Sequence, residues 1–173
     1  GIKIYFFVGN HDSWMSSYFK DELGIDIFFK PKKFQINSKK FFIGHGDGLG
    51  PGDYGYKFLK LIFRNPFFKF LYSCIHPDLS IRIGEILSRT NSVISGNEIK
   101  FESNEKELLY NFCKKILKSE YYHYFVFGHR HIPLKINLGN NSIYFNCGDW
   151  FNHYSYLDFS NSELSLKFFK PEI

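Results

Sequence analysis

Tyr124-Phe125-Val126-Phe127-Gly128-His129-Arg130-His131 passes from four apolar residues into a glycine and then two histidines. Aromatic and β-branched side chains suit a buried strand, which accounts for the first half. The glycine lets the backbone turn closely, and the histidines then emerge at a sheet edge whose strand fixes their position. The pattern occurs twice more. Ile4 to Val8 leads into Gly9-Asn10-His11-Asp12, and Phe41 to Ile43 leads into Gly44-His45-Gly46-Asp47. Three such strand ends are expected to converge on one point only if their strands share one sheet, and a cluster of His, Asn and Asp is suited to holding a metal. A metal-dependent hydrolase is the first expectation.

Working outward, Ile2–Val8 reads as a strand and Trp14–Leu23 as a short helix. Phe34–Ile36 and Lys40–Ile43 read as a hairpin across Asn37-Ser38-Lys39. Gly48–Gly55, rich in glycine and containing Pro51, reads as a loop. Helical spacing then covers Tyr54–Phe63 and, beyond the break at Pro66, Phe67–Ile75. Pro77 suits the first position of a third helix through Arg89. Asn91–Phe101 reads as an irregular connector. Asn104 is placed to cap a helix to Lys118, with Glu107 completing a capping box. The remainder is β: Tyr122–Phe127, then Leu134–Leu138 with Ile143–Cys147 across Gly139-Asn140-Asn141. Last, Tyr154–Phe159 pairs with Leu164–Phe169 across Ser160-Asn161-Ser162. The expected fold is a single α/β domain over residues 1–173, with the helical block 54–90 inserted in it.

Length and composition agree with one domain: 173 residues are enough for a sizeable core. The chain has 22 Phe and 12 Tyr and no alanine, the mark of an AT-rich coding bias rather than of an aromatic ligand. Net charge is +5 with a pI near 9.0, which favours anionic partners such as phosphate esters or anionic membrane surfaces. The basic residues are scattered and no zinc-finger or RNA-recognition spacing occurs, so nucleic acid is not an expected partner. Cys74, Cys113 and Cys147 are odd in number and lie in apolar surroundings, and they read as reduced core thiols of a cytosolic protein. No run is long enough to span a membrane, and no signal peptide is visible. Gly1 leads directly into a strand, so the chain is not expected to begin at its native start.

Within the motifs, His129 and His131 lie two apart, and an extended segment would point both imidazoles one way. Asn10 offers a neutral carbonyl oxygen to an ion, or makes an Asx-turn. His11 is suited to acid–base work. Asp12 either fixes its tautomer or caps the following helix. His45 is the third ligand candidate, with Asp47 orienting it or closing the glycine-rich turn. His76 reads as a helix-start residue, His123 as a strand-face residue, and His153 as a neighbour of the site. Asn and His donors suit Mn²⁺, Fe²⁺ or Zn²⁺, and two such ions can clamp a phosphoryl group and activate water.

Gly-Asn-His-Asp, Gly-His-Gly-Asp and Gly-His-x-His, in that order, resemble the signature of the calcineurin-like metallophosphoesterases. Asp53, Tyr56, Arg64-Asn65-Pro66, the apolar helices, Arg82 and Arg89 resemble the helical lid of the UDP-2,3-diacylglucosamine diphosphatases of the lipid A pathway. His131-Ile132-Pro133 and Asn146-Cys147-Gly148-Asp149-Trp150 resemble that family's ending. The resemblance covers nearly the whole chain. It implies an α/β/β/α sandwich with a lid at 54–90, and a peripheral enzyme on the cytoplasmic face of the bacterial inner membrane. That enzyme uses Mn²⁺ to hydrolyse UDP-2,3-diacylglucosamine, a UDP-linked acylated sugar lipid, to UMP and 2,3-diacylglucosamine 1-phosphate. It further implies Asn10, His45 and His129 as ligands of one ion and His131 of a second. Asn10, His11, Asp53, Ser92, Asn97, Lys100 and His129 would contact substrate.

Two departures accompany the resemblance. The family's opening Asp-x-His and Gly-Asp-x-x-Asp motifs do not occur in residues 1–173; they are expected upstream and would supply the bridging carboxylate. Position 11 is His where the lipid enzyme often has Arg, the residue whose fixed fork pairs with phosphate. The helical block has a physical reading of its own. Lys57, Lys60 and Arg64 share an arc of roughly 60° on a helix, and the apolar segment after Pro66 suits acyl chains and anionic headgroups. The competing expectations are a general phosphoesterase acting on another diester or nucleotide, and a non-catalytic remnant that binds a membrane or a partner.

Overall fold

A computed structural model of the chain describes residues 1–12, 15, 17–50, 54–94, 103 and 106–170, with the backbone alone at 56 and 87–94. It is a mixed α/β structure that divides into two compact units, Gly1–Gly52 with Phe101–Ile173, and Asp53–Lys100.

The first unit is built on a five-stranded mixed sheet. Its strands are β3 (Lys32–Ile36), β4 (Lys39–Ile43), β5 (Tyr124–Phe127), β7 (Ser142–Cys147) and β6 (Pro133–Gly139), in that order. β4, β5 and β7 run parallel at the centre, and β3 and β6 close the edges antiparallel. Parallel strands are normally covered on both faces and so read as continuous apolar runs, which is how Tyr124–Phe127 reads. Helix α5 (Leu108–Leu117) covers one face, where Leu109 and Cys113 pack with Tyr122, Phe125, Phe127 and Tyr144. The hairpin of β8 (Ser155–Ser160) and β9 (Glu163–Phe168) covers the other, where Leu164, Leu157 and Phe159 meet Phe41, Tyr124 and Phe145.

Before the sheet lie β1 (Tyr5–Phe7), α1 (Tyr18–Asp21) and β2 (Asp26–Phe28). β1 pairs in parallel with β2 in a small sheet separate from the main one. The expectation that the three motif-bearing strands share one sheet is therefore corrected. A rank of rings, Tyr5 and Phe7 against Phe34 and Phe28, packs the small sheet on β3 instead. β2 was not anticipated: three residues are too few to show a period.

The three hairpins turn more tightly than expected. Asn37-Ser38, Asn140-Asn141 and Asn161-Ser162 each hold both residues at positive φ. That is the two-residue turn whose twist matches the flanking strands, and asparagine tolerates it. Lys39, Gly139 and Ser160, expected in the turns, belong to strands.

The second unit contains α2 (Tyr54–Arg64), α3 (Pro66–Ser73) and α4 (Pro77–Ile94). Asn65 caps α3 by accepting from the Phe67 amide at 2.9 Å, with Pro66 at the first helical position. The Tyr72 hydroxyl donates to the Ser80 carbonyl at 2.6 Å, joining α3 to α4. Tyr54, Phe58 and Leu61 form an exposed stripe along α2, and α3 exposes Phe67, Phe68, Phe70 and Leu71. Lys57, Lys60 and Arg64 are only partly exposed, so the outward face of α2 is apolar where a basic one was expected. α4 runs on to Ile94, into the stretch read as a connector.

Candidate metal and phosphate site

The parallel register determines the site. Ile43 pairs with Val126, so β4 and β5 end level with each other. The His45 carbonyl accepts from the amides of Gly128 at 3.0 Å and His129 at 2.9 Å. These bonds bring the His45 and His129 rings edge to face, with centroids 5.3 Å apart. Asn10 arrives from the end of β1, and its Oδ1 lies 3.0 Å from His45 Nε2. Gly9 permits this approach, since a Cβ there would sit 2.9 Å from His45 Cε1. Asn10, His45 and His129 are thus brought together at the C-terminal strand ends, where open α/β sheets place their ligands.

Burial, with the neighbouring His45 second, lowers the His129 pKa to about 4. It is neutral at physiological pH, the form a metal requires. Asp47 is buried beside it and pulls the other way. His129 Nδ1 is buried with no hydrogen-bond partner. Among the described residues, no three of His, Cys, Asp and Glu gather closely enough to hold an ion. The donors present are two imidazoles and one amide oxygen. With the orphaned Nδ1 of His129 among them, they fit one side of a borderline divalent ion, and they contribute no carboxylate.

His131 does not share this direction. Its amide donates to the Gly128 carbonyl at 3.1 Å and its φ is +55°, so residues 128–131 form a tight turn rather than an extended run. The expected common direction of the two imidazoles is lost, because it holds only for a pleated strand. His131 instead faces Asp149, whose Oδ2 is 4.0 Å from its Nδ1. His11 is exposed. The Asp12 carboxylate accepts from the Gly9 amide at 3.3 Å and closes its own loop, while the cap position of α1 falls to Ser17. Asp53, Asn97 and Lys100 lie outside the described residues, and Ser92 is described only as backbone within α4.

Sequence reasoning missed two carboxylates. Glu107 stands at the cap position of α5 without capping it, and Asn104 lies outside the described residues. The Glu107 side chain is buried, and its Oε2 pairs with Arg130 Nε at 3.2 Å. Arg130 lies between the two motif histidines, so this pair pins their turn from below. Asp149 is the other. Burial works against its ionisation, but amides of Asn152 and His153 and the side chains of both outweigh it and hold the carboxyl well below the usual range. His76 sits as expected, while His123 lies in a bend just before β5 rather than on its face. His76 starts α4 beside Asp78, and His123 Nδ1 accepts from the Lys40 amide at 3.0 Å. Burial raises the Cys113 and Cys147 thiols, whereas Cys74 is exposed, correcting its core assignment.

No protein-family model matches the chain. A UDP-2,3-diacylglucosamine hydrolase of Porphyromonas gingivalis is 28% identical over 181 residues, covering 96% of this chain and 69% of the relative. The chain is similar to the UDP-2,3-diacylglucosamine hydrolases. A second such hydrolase, from Aliivibrio fischeri, is 23% identical over 174 residues, again covering 96% of this chain and 69% of the relative. The similarity to these UDP-2,3-diacylglucosamine hydrolases spans both units, so it takes in the exposed helices as well as the histidine-bearing strand ends.

Proposed function

We propose that the chain takes part in metal-dependent hydrolysis of the pyrophosphate of UDP-2,3-diacylglucosamine, on a metallophosphoesterase sandwich whose residues 54–90 serve as lid. The observation that carries the reading is the convergence of Asn10 and His45, 3.0 Å apart, with His129 at the ends of β1, β4 and β5. The similarity to hydrolases named for that substrate supports it.

Asn10, His45 and His129 would hold a divalent ion, Mn²⁺ by preference and Fe²⁺ or Zn²⁺ otherwise, and His131 would serve a second. Such ions polarise phosphoryl oxygens and make bound water acidic. The buried, neutral His129 supplies a lone pair without competition from protons at neutral pH. His11 would hand a proton to the leaving oxygen. Water adds at the uridine-side phosphorus, the bond to the bridging oxygen breaks, and UMP and 2,3-diacylglucosamine 1-phosphate leave. The exposed apolar stripes of α2 and α3 suit acyl chains at a membrane surface, where the enzyme would work peripherally. Among the described residues no helix is long and apolar enough to cross a membrane.

Incubating the chain with UDP-2,3-diacylglucosamine and Mn²⁺, and separating the products, tests this. UMP release abolished by chelation is expected. Release of UDP, or turnover indifferent to metal, would overturn it. Equal cleavage of a soluble diester, unaffected by deleting residues 54–90, would point to a general phosphoesterase.

A further inference from the structure

The Asp149 carboxylate divides its two oxygens between two tasks. Oδ1 accepts from the amides of Phe151 at 3.1 Å, Asn152 at 2.6 Å and His153 at 3.1 Å, which closes the loop after β7. Oδ2 faces side chains: His153 Nδ1 at 3.3 Å, Asn152 Nδ2 at 3.3 Å and His131 Nδ1 at 4.0 Å. The carboxylate is 5% exposed, against 39% for His153 and 53% for His131. A buried fixed acceptor thus addresses two solvent-facing imidazoles from different segments. The loop that carries it is locked. Gly148 holds φ +74°, and a Cβ there would meet Ser155 Oγ at 2.2 Å. The Ser155 amide and hydroxyl in turn bond the carbonyls of Asp149 and Cys147.

We propose that Asp149 is the positioning residue of this site. Its Oδ2 holds His153 as the Nδ1–H tautomer through a hydrogen bond and, 4.0 Å from His131 Nδ1, biases that ring the same way by charge alone while His153 occupies it, leaving both Nε2 atoms as ligands for a cation or hydrogen-bonding groups for a phosphate. This deepens the hydrolase reading and rests on it only for what the two Nε2 atoms bind. It adds His153 to the site. A carboxylate on one ring nitrogen commonly fixes the tautomer that leaves the other nitrogen available. A loop anchor alone would need only Oδ1.

Asp149→Asn separates the two tasks. The amide oxygen can replace Oδ1 in the loop, while the amide nitrogen replaces Oδ2 and donates where an acceptor stood. Ring-nitrogen NMR of the histidine-labelled, metal-free chain should show His131 and His153 as Nδ1–H tautomers in the wild type. In Asp149→Asn both should move toward Nε2–H, and Asp149→Glu should restore at least His153. In His153→Ala, which leaves the three backbone-amide bonds to Oδ1 in place, the Nδ1–H fraction of His131 should rise as its competitor leaves. Unchanged tautomers in Asp149→Asn, or an unchanged His131 in His153→Ala, would overturn the proposal. Mn²⁺ affinity should fall about 10–100-fold in Asp149→Asn; an undiminished affinity would overturn the cation role. A chain that shows the tautomer shift but binds no Mn²⁺ would sink the hydrolase reading and leave the positioning role standing.

Discussion

The two units of this chain spend their aromatic residues in opposite ways. In the first unit Phe125, Phe127, Tyr144 and Phe145 have no exposed surface, and each packs between a sheet and its cover. In the second, no residue of α3 is buried, and its phenylalanines point outward together with the stripe on α2. One amino acid abundance, the product of a biased composition, thus serves a close-packed core in one region and an apolar surface in the other. Contiguous exposed apolar surface on this scale marks an interaction surface. The first unit gathers Asn10, His45 and His129 at its strand ends; the second presents exposed apolar side chains, which on the proposed function would meet a lipid.

The contrast is broken most severely by truncating the core. Phe125→Ala should cost about 3–5 kcal/mol, read as a lowered urea midpoint at unchanged slope; a loss no larger than that of an α3 phenylalanine would deny the difference between units. Next comes the site. On the proposed function His45→Ala removes a direct ligand, so Mn²⁺ binding and UMP release should drop by more than the roughly 10–100-fold typical of outer partners, with the urea midpoint nearly unmoved. Calorimetric titration and product chromatography would measure the two.

Glu107→Gln sharpens the comparison within the first unit. It leaves Arg130 without its buried anion, at a cost of about 1–3 kcal/mol, since the partly exposed guanidinium recovers some solvent. The same change should broaden the His129 and His131 ring signals. A variant as stable as the parent would show that the pair is idle.

The cysteines separate the units by reactivity. Iodoacetamide near neutral pH should modify Cys74 and spare Cys113 and Cys147, as peptide mass spectrometry would reveal. Burial raises the Cys147 thiol from 9.0 to about 11, so the folded chain holds that proton more tightly than the unfolded one. The associated stability is whole below about pH 9 and is lost as pH climbs through 11; Cys147→Ala should flatten that part of the stability profile. The smallest effect on folding belongs to α3. Phe70→Ala should shift stability within about 0.5 kcal/mol while reducing binding to anionic lipid vesicles in a flotation assay. Unaltered vesicle binding for Phe67→Ala and Phe70→Ala together would remove the lipid assignment.

Much of this was legible in residue order. The apolar runs before Gly9, Gly44 and Gly128 announced strand ends, and the asparagine turns announced hairpins. Pro77 marked a helix start, whereas Pro66, read as a break, is itself the first residue of α3. What escaped had no local signal. β2 is three residues long. Glu107 looked like the capping-box partner of Asn104, yet its carboxylate turned to Arg130. His131 looked like the twin of His129 because a strand would have aligned them, but the chain had already turned at Gly128.

By itself, the sequence determined most of the elements and the histidine-bearing strand ends, because turn chemistry and apolar period act over a few residues through backbone sterics. Only the tertiary structure decided which side chains meet. Asn10 and His45 are 35 residues apart and belong to strands of different sheets. Asp149 faces His131, 18 residues away in sequence, because the level ends of β5 and β7 bring their loops together. Such meetings depend on register and packing across the sheet, which no window of residues contains.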